Sequence, residues 1–225
     1  FRLSVPGSAE ATARNLLAHE TLFRLNIACD LVYAASVVVL LAALHVILEP
    51  VNRTLALVAT SCRLVVALMW GVTALSMLAA LRLLGDAPDL SVFRADQLQS
   101  LARAQLTGGY DAYCVGLPFW GLASTVCSVL WLRSRYIPRA WAVCGVISSA
   151  WCVVSSLAFI VVPDFAETVS ASWFDLPMVI FELGLGLRLL LKGLIPRACP
   201  SLVRHLPVEV QTLEHRPVGE LLPLA

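Results

Sequence analysis

Asp30, Arg63 and Glu182 are ionisable residues that lie inside stretches of sequence that are otherwise apolar. Arg63, for example, lies within ALVATSCRLVVALMWG, which has no other charged residue. A charge left alone in hydrocarbon costs from about 2.5 to 3.5 kcal/mol on insertion scales and more in simulations. Because an arginine can neutralise carboxylates on neighbouring segments, we expect Arg63 to bridge Asp30 and Glu182 inside the protein.

These three residues, called the charge cluster below, have three interpretations. The first is a structural clamp that fixes how segments pack, because the cost of unpaired charge alone explains the pairing. The second is a path for a proton or a small solute. Two ionised acids and one arginine have a net charge of minus one, which one bound proton could balance. The third is a catalytic carboxylate, but no nucleophile or metal ligand accompanies it. We take the structural or accessory role as the prediction, transport as the alternative, and predict no enzymatic activity.

The sequence predicts no metal site and no cofactor. The seven cysteines form no CxxC pair, and the one spacing that favours a metal, His45 with Glu49, supplies only two ligands. The formal net charge of +1 comes without a basic stripe, so we expect no nucleic-acid partner.

Composition places the chain in a membrane. Hydrophobic residues make up 59% of its 225 residues, charged residues only 14%, and the mean hydropathy is +0.83. Such a chain has too little polar surface for a water-soluble globule, so its main partner is the lipid bilayer. A homo-oligomer or other membrane subunits stay open as protein partners.

The charge cluster must be positioned by membrane-spanning helices. Crossing a hydrocarbon core takes about 20 helical residues, and five apolar segments are long enough: residues 22–48, 55–84, 113–132, 140–162 and 174–191. Only helices and closed barrels satisfy their backbone hydrogen bonds in lipid, and the alternation of barrel strands is absent. The predicted fold is therefore an all-α, polytopic bundle of five spans over residues 1–193, with an outer connection at 85–112.

Arginine and lysine in the short loops set the orientation. These positive residues follow the first, third and fifth spans, and the segments after these spans lie on the same side of the membrane. The charged residues in the loop after the fourth span are all acidic. This pattern predicts a multi-pass protein of the plasma membrane with a cytoplasmic C-terminus, in which the proline-rich residues 194–225 form a flexible tail. A single lysine against fifteen arginines is typical of a G+C-rich bacterial genome, so we expect a cell inner membrane.

Six segments of the sequence, in this order, resemble those of a known protein family: NLLAHETLFRLNIACDLVY, EPVNRTLALVATSCRLVVAL, YCVGLPFWGL, LRSRYIPRAWAVCGVISSA, SSLAFIVVPDF and FELGLGLRLLLKG. Over about residues 9–193 the chain resembles the bacterial multi-pass membrane family known as domain of unknown function 4386. The resemblance implies six helices, the first of them upstream of the residues here, and no assigned biochemistry. The orientation and the first residue, Phe1, independently suggest a lost upstream segment, either a sixth helix or a cleaved signal peptide.

Overall fold

A computed structural model describes residues 8–85, 92–162 and 171–194, with the side chains of 171–174 left out. The described residues are arranged in six α-helices, and they confirm the predicted all-α class. In chain order these are α1 (Ala9–Ala18), α2 (Glu20–Leu48), α3 (Arg53–Leu84), α4 (Ala95–Ser134), α5 (Arg139–Val161) and α6 (Ala171–Lys192).

Four of these helices, α2 to α5, are long and apolar enough to cross a membrane. Their outward surfaces carry large apolar side chains, such as Val39 and Val46, each 70% exposed, and Ile147, 66% exposed. An exposed apolar surface on this scale is unfavourable in water and suits contact with lipid. The predicted spans 22–48, 55–84 and 140–162 agree with α2, α3 and α5 to within two residues at each end.

The predicted fifth span, 174–191, corresponds to α6, and its crossing of the membrane stays a prediction. Asp175, Glu182 and Arg188 place at least three charged residues in every 18-residue stretch of this helix. A helix so rich in charge needs polar partners in the bundle if it is to lie at membrane depth. The partners of its two acids are therefore central to the architecture.

Helix α4 differs from its predicted form. The sequence predicts an outer connection at 85–112 and a separate span at 113–132, whereas the structure has one unbroken 40-residue helix. Gly108 and Gly109 lower the helix propensity at the expected break. Packing outweighs that cost, because the Thr73 hydroxyl on α3 donates a hydrogen bond of 2.9 Å to the Gly109 carbonyl. Most of the predicted outer connection is therefore helical.

A tight turn joins α2 to α3 and sets their relative height. Asn52 caps α3, since its side-chain oxygen accepts a 2.9 Å hydrogen bond from the Leu55 amide. Leu48, Ala56 and Trp131 then pack into one buried cluster at this end of the bundle. The two helices run antiparallel from the turn, so depth along each can be counted from residues 48 and 53.

Helix α6 packs chiefly against α5, while α3 packs extensively against α4. Side chains of α2, α3 and α4 face α6 across open space, which forms the cavities described below. The predicted tail at 194–225, apart from Leu194, lies outside the described residues, as does 86–91 of the outer connection.

Candidate functional site

The Arg63 guanidinium and the Glu182 carboxylate form an ion pair between α3 and α6. The Arg63 Nη2 atom donates to Glu182 Oε1 at 2.8 Å. The arginine side chain is only 8% exposed and that of the glutamate is 25% exposed. The predicted pairing of Arg63 with Glu182 is therefore present, in a mostly buried position.

Two residues of α4 add hydrogen bonds to this ion pair. The Ser124 hydroxyl accepts from Arg63 Nη2 at 2.9 Å and donates to Glu182 Oε1 at 2.5 Å. The Trp120 indole donates to Glu182 Oε2 at 3.1 Å. Both carboxylate oxygens thus act as acceptors, which is the arrangement that stabilises an ionised carboxylate. We call Arg63, Glu182, Ser124 and Trp120 the polar bridge.

Asp30 is not part of the polar bridge. Its carboxylate accepts a 3.2 Å hydrogen bond from Asn26 Nδ2, one turn earlier on α2, and it makes no ion pair with Arg63 in the described structure. Asp30 and Arg63 lie at different distances from the α2–α3 turn, which explains why they do not pair. Asp30 lies about 27 Å from the α2 end of the turn, whereas Arg63 lies about 15 Å from the α3 end. The two residues therefore differ in depth by about 12 Å, and Asp30 lies farther from the turn.

A second polar contact ties α6 to α4 at another level. The Tyr113 hydroxyl donates to Asp175 Oδ2 at 2.6 Å. Asp175 precedes Glu182 by seven residues, which is two helical turns, so the two acids share one face about 10.5 Å apart along the axis. The predicted span 174–191 includes Asp175, but no contact with Tyr113 is predicted from the sequence. The i, i+7 spacing of the two acids was the available signal.

Two cavities of about 420 Å³ each lie between α6 and the side of the bundle formed by α2, α3 and α4. The first, called the aromatic cavity, is lined by Asp175 and by four aromatic residues: Tyr33, Trp70, Tyr113 and Trp120. The second, called the charged cavity, is lined by Arg63, Ser124 and Glu182 among mainly apolar side chains. Tyr33, Trp120 and Val179 line both cavities, which are therefore adjacent.

This arrangement can bind and orient charge. Within the described ranges, no three His, Cys, Asp or Glu residues gather into a group that could hold a metal ion. Ser124 is hydrogen-bonded to both Arg63 and Glu182.

Comparison with known proteins places the chain in a family without adding a biochemical activity. No curated protein and no solved structure matches it. A family model does match, over residues 2–193, which is most of the chain. The chain therefore belongs to the family described as Domain of unknown function (DUF4386).

Proposed function

We propose that the chain is a structural or accessory membrane protein in which the polar bridge clamps α6 to the rest of the bundle. One observation carries this proposal: Arg63 and Ser124 reach Glu182 beside a cavity that lies between α6 and the side of the bundle formed by α3 and α4. In a membrane, apolar side chains gain nothing by leaving lipid for one another. Polar contacts therefore have a larger share in holding this helix.

The proposal extends to location and partners. Exposed apolar helices support an integral membrane protein, and the arginine distribution supports a bacterial plasma membrane with the C-terminus in the cytoplasm. The bilayer is the expected environment, and a homo-oligomer or other membrane subunits are the protein partners to look for. We propose no enzymatic activity, no cofactor and no nucleic-acid partner.

Exchanging Glu182 for glutamine tests the clamp. The amide keeps the shape of the side chain but loses the charge that attracts Arg63, and its NH2 group cannot accept a hydrogen bond. We expect amide hydrogen exchange in α6 to rise by about tenfold, while α3 and α4 change little, because losing a charge-assisted hydrogen bond costs about 1.5 kcal/mol.

Glu20→Gln is the matched control for that measurement. Glu20 also pairs with an arginine, Arg24, at 2.7 Å, but both side chains are largely exposed. Its loss should leave exchange in α6 unchanged. Unaltered α6 exchange in Glu182→Gln, or an equal rise in all helices, would argue against a clamp.

The charged cavity favours one alternative, a small-solute or proton-coupled transporter that uses Arg63 and Glu182. In that case the purified protein in liposomes should carry protons down an imposed gradient, followed with a pH-sensitive dye trapped inside. The flux should disappear in Glu182→Gln and persist in Glu20→Gln, because only Glu182 lines the cavity. Wild-type flux equal to that of empty liposomes would remove proton coupling from consideration.

A further inference from the structure

The aromatic cavity has a composition that differs from that of the charged cavity beside it. Four aromatic side chains from α2, α3 and α4 line it: Tyr33, Trp70, Tyr113 and Trp120. The ring centroids of Tyr33 and Trp70 are 4.8 Å apart, and those of Trp70 and Tyr113 are 5.8 Å apart at 74°. The rings therefore support one another as a connected wall, and the tryptophan lies between the two tyrosines.

Asp175 is the acid of this cavity, and the lining residues in the described part of the chain include no arginine, lysine or histidine. Within the described structure, the contact that its carboxylate makes is with the neutral hydroxyl of Tyr113. Glu182, two turns later on the same face of α6, has the cation that Asp175 lacks, because Arg63 contacts it at 2.8 Å. The face of α6 thus presents two acids, of which one has a positive partner within the described protein.

A carboxylate among aromatic rings is the chemistry that recognises organic ammonium ions. The face of an aromatic ring carries negative electrostatic potential, and it attracts a cation by up to about 2 kcal/mol where water is excluded. A carboxylate adds the formal charge that a monovalent cation requires. At about 420 Å³, the cavity falls in the size range of sites for small organic ligands.

We propose that the aromatic cavity is a binding site for a small organic ammonium ion, held by Asp175 and by the rings of Trp70, Tyr33, Tyr113 and Trp120. The cation would supply the positive partner of Asp175, as Arg63 does for Glu182. The apolar remainder of the wall, including Val66, Met69 and Leu117, accommodates the alkyl groups of such an ion. The proposal shares one residue, Trp120, with the polar bridge, but the acid that it uses is Asp175 and not Glu182.

Choline is a suitable probe, and its uncharged carbon isostere, neohexyl alcohol, is the matched control ligand. Binding of each is measured by titration calorimetry on the full chain in dodecyl maltoside, without phosphatidylcholine, whose headgroup carries the same cation. We expect choline to bind at least about tenfold more tightly than neohexyl alcohol, because only the charged ligand interacts with Asp175 and the ring faces. Equal binding of the two, or no choline binding at millimolar concentration, would overturn the proposal.

Two variants locate the site. Asp175→Asn retains an oxygen that can accept from Tyr113, and we expect choline binding to weaken at least about tenfold. Asp111→Asn removes the same charge from an exposed position on α4 and should leave the affinity within about twofold. Equal losses in both variants would indicate nonspecific attraction and contradict the assignment.

Trp70→Leu provides a second test that leaves every charge in place. Removing the central ring of the aromatic wall should weaken choline binding by at least about threefold, with neohexyl alcohol binding changed less. Gel-filtration profiles matching the wild type establish that each variant is folded. A folded Trp70→Leu protein with unchanged choline affinity would show that the rings take no part.

Discussion

Replacing Arg63 with leucine should lower the free energy of unfolding by about 3 kcal/mol or more. The change removes the cation from Glu182 and one hydrogen-bond partner from Ser124, in a position where the arginine side chain is only 8% exposed. Breaking a buried ion pair by removing one partner typically costs 3 to 5 kcal/mol, because the other charge stays without compensation. The measurement is unfolding in dodecyl maltoside micelles titrated with sodium dodecyl sulfate.

Two further substitutions make that result specific to the ion pair. Arg53→Leu removes an arginine from the same helix, but its side chain is 85% exposed, so we expect a cost within about 0.5 kcal/mol. Arg63→Lys retains the charge without the planar guanidinium and should fall between wild type and Arg63→Leu. If Arg63→Leu were no worse than Arg53→Leu, Arg63 would not stabilise the bundle.

The spans were the most predictable part of the fold. The α2–α3 turn carries its own signals, with Pro50 and the capping residue Asn52 between two long apolar runs. The length of an apolar run indicates where such a helix begins and ends, because the hydrocarbon core of the bilayer favours uninterrupted apolar sequence. Helix α5 also begins at a signal in the sequence. Pro138 is its N-cap residue, and Val162 is its C-cap residue.

The extent of α4 and the presence of α1 could not be predicted from local signals. A glycine pair in the middle of a polar stretch indicates a break, but α4 is continuous there and packs against α3, with Gly109 close to Thr73. Helix α1 is only ten residues long, too short for the length rule that identifies membrane spans, and it contacts α4, whose first part was assigned to a connection. The extent of α4 and the presence of α1 both depend on contacts between residues that are distant in sequence.

The candidate site was predicted in part. The cost of buried charge predicted a partner for Arg63, and Glu182 is that partner. Ser124 and Trp120 were not identified, because a serine and a tryptophan in an apolar run are equally typical of close packing. Asp30 was expected in the charge cluster because an acid in an apolar run needs a partner, but it lies about 12 Å farther from the α2–α3 turn than Arg63 and contacts Asn26 instead.

The most direct test of the clamp is a double-mutant cycle on Arg63 and Glu182, measured as the free energy of unfolding of Arg63→Leu, Glu182→Leu and the double variant. An apolar pair of similar size removes both charges at once, so neither is left uncompensated. We predict that the double variant is more stable than either single variant, with a coupling of about 2 kcal/mol. Costs that add to within about 0.5 kcal/mol would contradict the claim that the ion pair holds α6 in the bundle.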